Sequence, residues 1–415
     1  MKEIGLAKII EQMVPQLYLL DHPIRPNWGT LLDLIINGRK FYYITYNTGR
    51  KGGPIRDLFE FIEENSRCFC ELDLNSGELE RKCVEREIAT KWLEIKTSIS
   101  QREWGKILDH IGKMQNRTYE NLPIVKNIII DPEATGYLDF SEASEMKLID
   151  VMGGSNYVYF IADKEFRIAD YKEVSWNEIS DKPDYSSVPN FLRPFTSVMK
   201  AGQVGIALTR TGDVIVYNEE PFNHDQMIIS IRKGDITVYQ GNMVKNLYRD
   251  VLKAAYNVAC NLFDICWDIS YRRHGALIVL ALDDDYGRHI VNRESILGHS
   301  EAMGIRKHLA AAIERISLLN RGQIAGRNTF LELSSVDGAV ILEPHTGQVK
   351  AFGSIIETAA SVHGISGART TAAESAISYE NMQPIKISSD GDITLYRNIT
   401  DLDTGEEITL KYKFY

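Results

Sequence analysis

Asp337, Gly338 and Ala339 stand just before the apolar run Val340-Ile341-Leu342, placing a carboxylate and two small residues where a β-strand opens. A carboxylate at such an edge can ligate a hard divalent cation or accept a proton from a hydroxyl, and small neighbours let a ligand approach the backbone. The same residues also fit a tight turn in which Asp337 bonds its own backbone. A second spot is Gly364-Ile-Ser-Gly367-Ala368-Arg369-Thr370-Thr371, which runs into Ala372-Ala373-Glu374-Ser375-Ala376. A glycine-rich loop feeding a helix of small residues leaves N–H groups unbonded at the helix start. Arg369 and the hydroxyls of Thr370 and Thr371 add charge and donors there, as phosphate oxygens require. Thr370 as a plain N-cap beside a solvated Arg369 fits these residues equally well. No Walker lysine motif and no Gly-x-Gly-x-x-Gly occurs in the chain.

Weaker candidates surround these two. His274 beside Arg272 and Arg273 could meet a phosphate or simply face the carbonyls at a helix end. His363, four residues before Gly367, could lend an imidazole to the loop or be merely exposed. Asp283-Asp284-Asp285 has the look of a metal cluster, but no glutamate or histidine follows at a ligand spacing, and a solvated turn explains it better. The five cysteines, Cys68, Cys70, Cys83, Cys260 and Cys266, are odd in number and contain no Cys-x-x-Cys, which argues against a disulfide framework and a zinc site. Cys68 and Cys70 are expected on one face of a strand.

The elements that must position these residues fall into three segments, giving an α/β fold preceded by α+β and β-rich regions. Residues 1–120 mix helix patterns (Gly5 to Leu20, and Ile55 to Glu63 after Gly52-Gly53-Pro54) with a strand over Phe41–Tyr46. Residues 121–240 are expected to be mostly β. Strands at 124–130, 157–162, 204–209, 214–217, 227–231 and 236–239 are punctuated by Thr211-Gly212-Asp213 and Lys233-Gly234-Asp235, where glycine supplies the positive φ of a tight hairpin. Residues 241–415 read as a mixed sheet with flanking helices. The pattern predicts one long helix over 246–269, a central strand over Gly275–Leu282, a helix over 301–319 and an amphipathic turn at Phe330–Leu333. Strands at 338–342 and 349–352, a helix at 370–377, and strands at 385–388, 393–396 and 408–414 complete the segment.

With 415 residues, 44% hydrophobic and 25% charged, the chain belongs with globular proteins of several domains. The formal net charge of −10 disfavours holding bulk nucleic acid by counterion release, though not a pocket for a single nucleotide. The N-terminus shows no export signal and the apolar runs are strand length, so a cytoplasmic protein without a membrane span is expected.

Asp337-Gly338-Ala339 at a strand start, then Gly347-Gln-Val-Lys-Ala-Phe-Gly353, a Gly-x-Arg loop opening a helix, and the turn Ser388-Ser389-Asp390-Gly391 follow a definite order. That order resembles the diadenylate cyclase domains, the nucleotide-binding domains of the DNA-integrity-scanning type. The resemblance spans roughly 245–400 and does not reach the first 240 residues, which are expected to form a sensor or regulatory region. It implies synthesis of cyclic di-AMP from two ATP molecules held by two face-to-face domains of a homo-oligomer. It implies that Asp337 binds Mg²⁺ or Mn²⁺ and activates the ribose 3′-hydroxyl. Gly338, Ala339, Gly353 and Ile356 would line the adenosine site. Gly367, Ala368 and Arg369 would hold phosphates together with Thr370 and Thr371, and Ser388, Ser389 and Asp390 would close the pocket.

The loop departs from the family, which usually reads Gly-Thr-Arg-His-Arg where this chain has Gly367-Ala368-Arg369-Thr370-Thr371. A hydroxyl, an imidazole and a guanidinium are missing, and Val336 replaces the histidine often found before the aspartate. Each lost phosphate contact costs about 1.5–3 kcal/mol. The sequence therefore leaves three functions open: a cyclase that is slow or altered in its nucleotide, a nucleotide or cyclic-dinucleotide receptor without turnover, and a purely structural dimerisation module.

Overall fold

The protein is α/β in a computed structural model that describes residues 2–45, 53–71, 78–143, 147–152, 157–175, 188–218, 227–297, 324–362 and 367–414. Two compact units divide it, one of residues 1–23 and 31–244, the other of residues 24–30 and 245–415. The predicted helix at 301–319 and His363 lie outside the described residues.

In the first unit, helix α1 (Lys2–Met13) buries Leu6, Ala7, Ile9, Ile10 and Met13. It stops well short of the predicted Leu20. Pro15 has no N–H to continue the ladder, and strand β1 (Tyr18–Leu20) gains backbone pairs with β3 (Arg39–Thr45), beside β2 (Thr30–Ile36). Helix α2 (Gly53–Glu71) runs past the predicted end and carries both Cys68 and Cys70. The expectation of a shared strand face fails because two residues turn a helix by about 200°. Cys68 is accordingly exposed and Cys70 buried. Helices α3 (Glu78–Lys96) and α4 (Gln101–Gln115) pack together, α4 starting at a reciprocal Ser100–Glu103 capping box.

A short hairpin, β4 (Thr118–Tyr119) and β5 (Leu122–Pro123), leads into an eight-stranded sheet. Its strands are β6 (Lys126–Ile130), β7 (Leu138–Asp139), β8 (Val158–Ala162), β9 (Arg167–Glu173), β10 (Val204–Leu208), β11 (Val214–Asn218), β12 (Met227–Arg232) and β13 (Asp235–Gln240). The order is β13-β12-β11-β10-β6-β8-β9-β7, antiparallel except where β6 meets β8. Lys233 (φ 52°) and Gly234 (φ 87°) are both left-handed at the β12–β13 turn, and Gly212 (φ 77°) lies in the β10–β11 turn. The hairpin glycines therefore do what their spacing implied. Short helices α5 (Phe140–Ala143), α6 (Lys147–Val151) and α7 (Arg193–Val198) fill the connections.

The second unit is built on a mixed sheet of β14 (Ala276–Ala281), β15 (Ala339–Leu342), β16 (Val349–Ser354), β17 (Met382–Ile387), β18 (Ile393–Thr400) and β19 (Glu407–Phe414). In the order β16-β15-β14-β17-β18-β19, only β14 and β15 run parallel. All six residues of β14 are buried, as a central strand covered on both faces requires. The helix predicted over 246–269 is two helices, α8 (Gly241–Leu252) and α9 (Tyr256–Tyr271). Lys253 turns left-handed (φ 52°) between them, and the Ala255 N–H goes to the Pro344 carbonyl at 3.0 Å rather than into a helix. The predicted turn at 330–333 is the last part of α10 (Ile324–Ser334). One face of the sheet, through Leu277, Val279, Ala339 and Ile341, forms a buried cluster with Ala373, Ala376 and Ile377 of α11 (Ala368–Ser378). Helices α9 and α10 contribute nothing to that cluster and cover the other face. Among the described residues, no helix is long and apolar enough to cross a membrane.

Candidate functional site

The parallel pair sets the frame, because β14 and β15 start side by side and bring what precedes them to one end of the sheet. Asp337 and Gly338 precede β15 directly. Gly338 takes φ 107°, and a Cβ there would lie 2.5 Å from the Gly353 carbonyl carbon, so two strand ends meet backbone to backbone. Gly353 is itself left-handed (φ 64°) at the end of β16. Asn292, which the sequence did not single out, fixes this corner by donating to the Gly353 carbonyl (2.9 Å) and accepting from the Ile355 N–H (2.7 Å). The Asp337 side chain is fully exposed beside this close approach.

Arg369 arrives from the other side of β14. Its helix α11 is capped by Gly367 (φ 94°), whose carbonyl accepts from the N–H (3.0 Å) and the hydroxyl (3.2 Å) of Thr371. The cap is thus Gly367 and not Thr370, since only glycine takes that backbone conformation without strain. Arg369 sits in the first turn, and its guanidinium lies against Gly275, where a Cβ would be 2.3 Å from Nη1. Arg369 Nη2 stands 3.8 Å from Asp337 Oδ1. Gly275 was not among the expected site residues. Its role depends on a neighbour distant in sequence, which no local pattern reports.

The hydroxyl of Thr370 accepts from Lys386 Nζ at 3.3 Å. Lys386 is half-buried on β17, and burial foremost, with Lys413 next, holds its ammonium below the usual lysine range. A lone lysine inside the apolar run Ile385-Lys386-Ile387 was the available signal, and the sequence reading passed over it.

The Ser388–Asp392 turn lies at the same end, since Ile387 pairs with Ala276 at the start of β14. It is a closed hairpin. The Gly391 N–H bonds the Ser388 carbonyl (2.9 Å), and the Asp392 N–H bonds the Ser388 hydroxyl (3.0 Å). Arg273 Nη1 donates to the Asp390 carbonyl, while Ser389 and Asp390 are exposed. Asp337, Gly338, Gly353, Arg369, Thr370 and this turn therefore share one sheet end. Ala339 and Ile356 are core residues, 0% and 6% exposed in the cluster beneath α11, with Ile356 bridged to Ile290. Ala368 and Thr371 lie in the first turn of α11.

Of the remaining candidates, His274 stands at this same end, directly before Gly275, and the aspartate run does not. His274 is exposed, its N–H on the Ile269 carbonyl at 3.2 Å. Asp283, Asp284 and Asp285 are exposed at the opposite end of β14. There Asp283 caps a short 3₁₀ turn and, with Asp284, Glu343 and Lys350, borders a cavity of about 250 Å³. The solvated-turn reading of these aspartates agrees with that placement. Among the described residues, no three His, Cys, Asp or Glu side chains form a group able to hold a metal ion. Among the described residues at the Asp337 end, the exposed carboxylates of Asp337 and of Asp390 on the hairpin turn do not form a ligand cluster. That suits Mg²⁺ or Mn²⁺ bound chiefly through a nucleotide's phosphates and water.

No family model matches this chain, and no curated protein matches it. Among solved structures, it is similar to a hypothetical membrane spanning protein from Bacillus cereus, at 16% identity and a TM-score of 0.22. That match covers 41% of this chain and 74% of the other. It is also similar to a double mutant of DacA from Staphylococcus aureus, at 19% identity and a TM-score of 0.21, covering 37% and 85% of the two chains. Likenesses at these TM-scores carry no argument about fold or function.

Proposed function

We propose that the second unit is a diadenylate-cyclase-like domain that binds a nucleoside triphosphate and joins two of them into a cyclic dinucleotide, cyclic di-AMP from ATP. One observation carries this reading. An exposed carboxylate and a guanidinium, from segments distant in sequence, meet 3.8 Å apart over a corner cleared by Gly275, Gly338 and Gly353. In the proposed reaction Asp337 orients the ribose 3′-hydroxyl and accepts its proton. The freed oxygen attacks the α-phosphorus of a second ATP held by a facing copy of the domain and one pyrophosphate leaves; the reciprocal attack by the second ribose 3′-hydroxyl releases the second pyrophosphate and closes the ring. Arg369 and the N–H groups at the start of α11 hold the phosphates in line, which is where most of the rate enhancement in phosphoryl transfer arises. Mg²⁺ or Mn²⁺, held by Asp337 and the phosphates, would neutralise charge developing on the oxygens. The first unit would serve as the regulatory region, and the same reading places the protein in the cytoplasm, where Cys70, Cys260 and Cys266 stay free thiols.

The loop itself favours a second reading, a receptor that binds without turnover. Ala368 has no hydroxyl, Thr371 spends its own on Gly367, and Asp337 already faces Arg369. Incubating the full chain with ATP, GTP, CTP and UTP in Mg²⁺ and in Mn²⁺, with products read by mass spectrometry, separates the two. A cyclic dinucleotide plus pyrophosphate is expected. Binding by calorimetry with no product from any nucleotide would leave the receptor.

A further inference from the structure

We propose that Lys386 is a phosphate-binding residue of this site, supplying from β17 the second cation that the loop at the start of α11 lacks. The inference rests on the reading of that end of the sheet as a triphosphate site. It begins with the register, in which Leu277, Lys386, Thr394 and Lys413 are paired residues on β14, β17, β18 and β19. Paired residues share a face, and Leu277 belongs to the cluster under α11, so Lys386 and Lys413 rise on the α11 side. The stem of Lys386 climbs toward the first turn of that helix and ends at the Thr370 hydroxyl, one residue from Arg369.

A half-buried ammonium is costly unless something anionic answers it. Among the described residues no carboxylate pairs with Lys386. Glu374, the acid on α11 nearest in role, is engaged by Lys411 at 2.6 Å. Lys386 instead has a neutral hydroxyl as its contact, and burial, with Lys413 beside it in register, outweighs the weaker favourable pull of Asp392 and Glu374. Arg369, Lys386 and Lys413 thus gather positive charge with a helix start on one side of the sheet. Triphosphate oxygens arriving there would relieve the repulsion, with Thr370 holding Lys386 in place until they do. Lys386 would stand in for the guanidinium that the family's loop carries and this one does not.

Calorimetry on the full chain with ATP, inorganic triphosphate and adenosine tests this. Lys386→Met should weaken ATP and inorganic triphosphate by about 10- to 100-fold and leave adenosine unchanged. Lys386→Arg should keep triphosphate within about threefold, since the charge persists. Should the methionine variant melt below wild type, Lys386→Gln keeps a donor for Thr370 without charge and must show the same split. If Arg369→Ala loses triphosphate binding while Lys386→Met and Lys386→Gln retain it, the inference on Lys386 fails and the site stands. Equal loss for ATP and adenosine would also overturn it, marking Lys386 as a structural support. If wild type binds none of the three ligands, the site reading fails and this inference with it.

Discussion

Gly275 and Gly338 both leave no room for a side chain, yet what crowds them differs, and so should the result of filling each space. A Cβ at Gly275 meets the far end of Arg369, a flexible side chain, whereas a Cβ at Gly338 meets the Gly353 backbone at 2.5 Å in a left-handed conformation. Gly275→Ala should therefore leave the melting temperature nearly unchanged while displacing Arg369, so that triphosphate affinity falls as it does in Arg369→Ala. Unchanged affinity would mean that the place of Arg369 over Gly275 is irrelevant to binding. Gly338→Ala should destabilise the second unit by more than about 1 kcal/mol in urea unfolding, because backbone has to move. Asp337→Asn is nearly isosteric and fully exposed, so the fold should persist while any product formation drops by at least about 100-fold; wild-type turnover in that variant would remove Asp337 from the chemistry. In the first unit, Lys126 is 1% exposed, gives its ammonium protons to the carbonyls of Asp150 (2.8 Å) and Met152 (2.5 Å), and is pushed by burial down to about 8. Between pH 8 and about 10.5 the folded chain has lost a proton that the unfolded chain still binds, so this residue makes stability rise with pH across that window. Urea unfolding at several pH values should show the rise in wild type relative to Lys126→Met; parallel curves would show that Lys126 titrates normally.

At the scale of elements, what sequence could and could not convey depends on how far each signal reaches. Turn chemistry is local, so Gly212 and Gly234 announced the hairpins of the β-rich region, and a doubly buried strand announced itself at Gly275–Leu282. The Asp337-Gly338 and Gly367–Arg369 motifs were legible for the same reason, each lying within a few residues. The interruption between α8 and α9 was not, because neither glycine nor proline marks it and the Ala255 N–H is taken by the carbonyl of Pro344, far along the chain. Cys68 and Cys70 misled because period-two spacing was read without the helix around it. Gly275, Asn292 and Lys386 escaped because only sheet register and helix docking bring them to the site. Where a local device does fix an element, its strength can be tested alone. Ser100 accepts from the Glu103 N–H (3.3 Å), and the Glu103 carboxylate accepts from the Ser100 hydroxyl (2.7 Å) and N–H (3.0 Å), the hydroxyl's bond foremost pulling the Glu103 carboxyl below its usual range. Ser100→Ala should cost the first unit about 1 kcal/mol in urea unfolding, and a loss under about 0.3 kcal/mol would assign the start of α4 to packing of Trp104 and Ile107 instead.

At the scale of the whole molecule, the chain does not divide into units in a single cut, because residues 24–30 belong with 245–415 although they come from the N-terminal end. This strap pairs with the last residue of β18 and the turn that follows it. The Asn27 N–H bonds the Thr400 carbonyl and the Thr400 N–H bonds Asn27 Oδ1, both at 3.0 Å, and the Arg25 N–H bonds Asp401 Oδ1 at 3.1 Å. Trp28 sets its edge against Tyr412 (centroids 6.4 Å apart) and lies under the Arg397 guanidinium at 5.2 Å. Burial pushes the Arg397 guanidinium below its usual range, so the tryptophan face helps a half-desolvated cation to remain charged. Removing the strap's anchor should therefore act far from residue 28 in sequence but within one unit. In hydrogen exchange on the full chain, Trp28→Ala should lower protection across β18 and β19 and leave β10 through β13 as in wild type. A loss shared by both sheets would mean that the two units open together, and unchanged protection of β18 and β19 would mean that the strap contributes nothing to holding those strands.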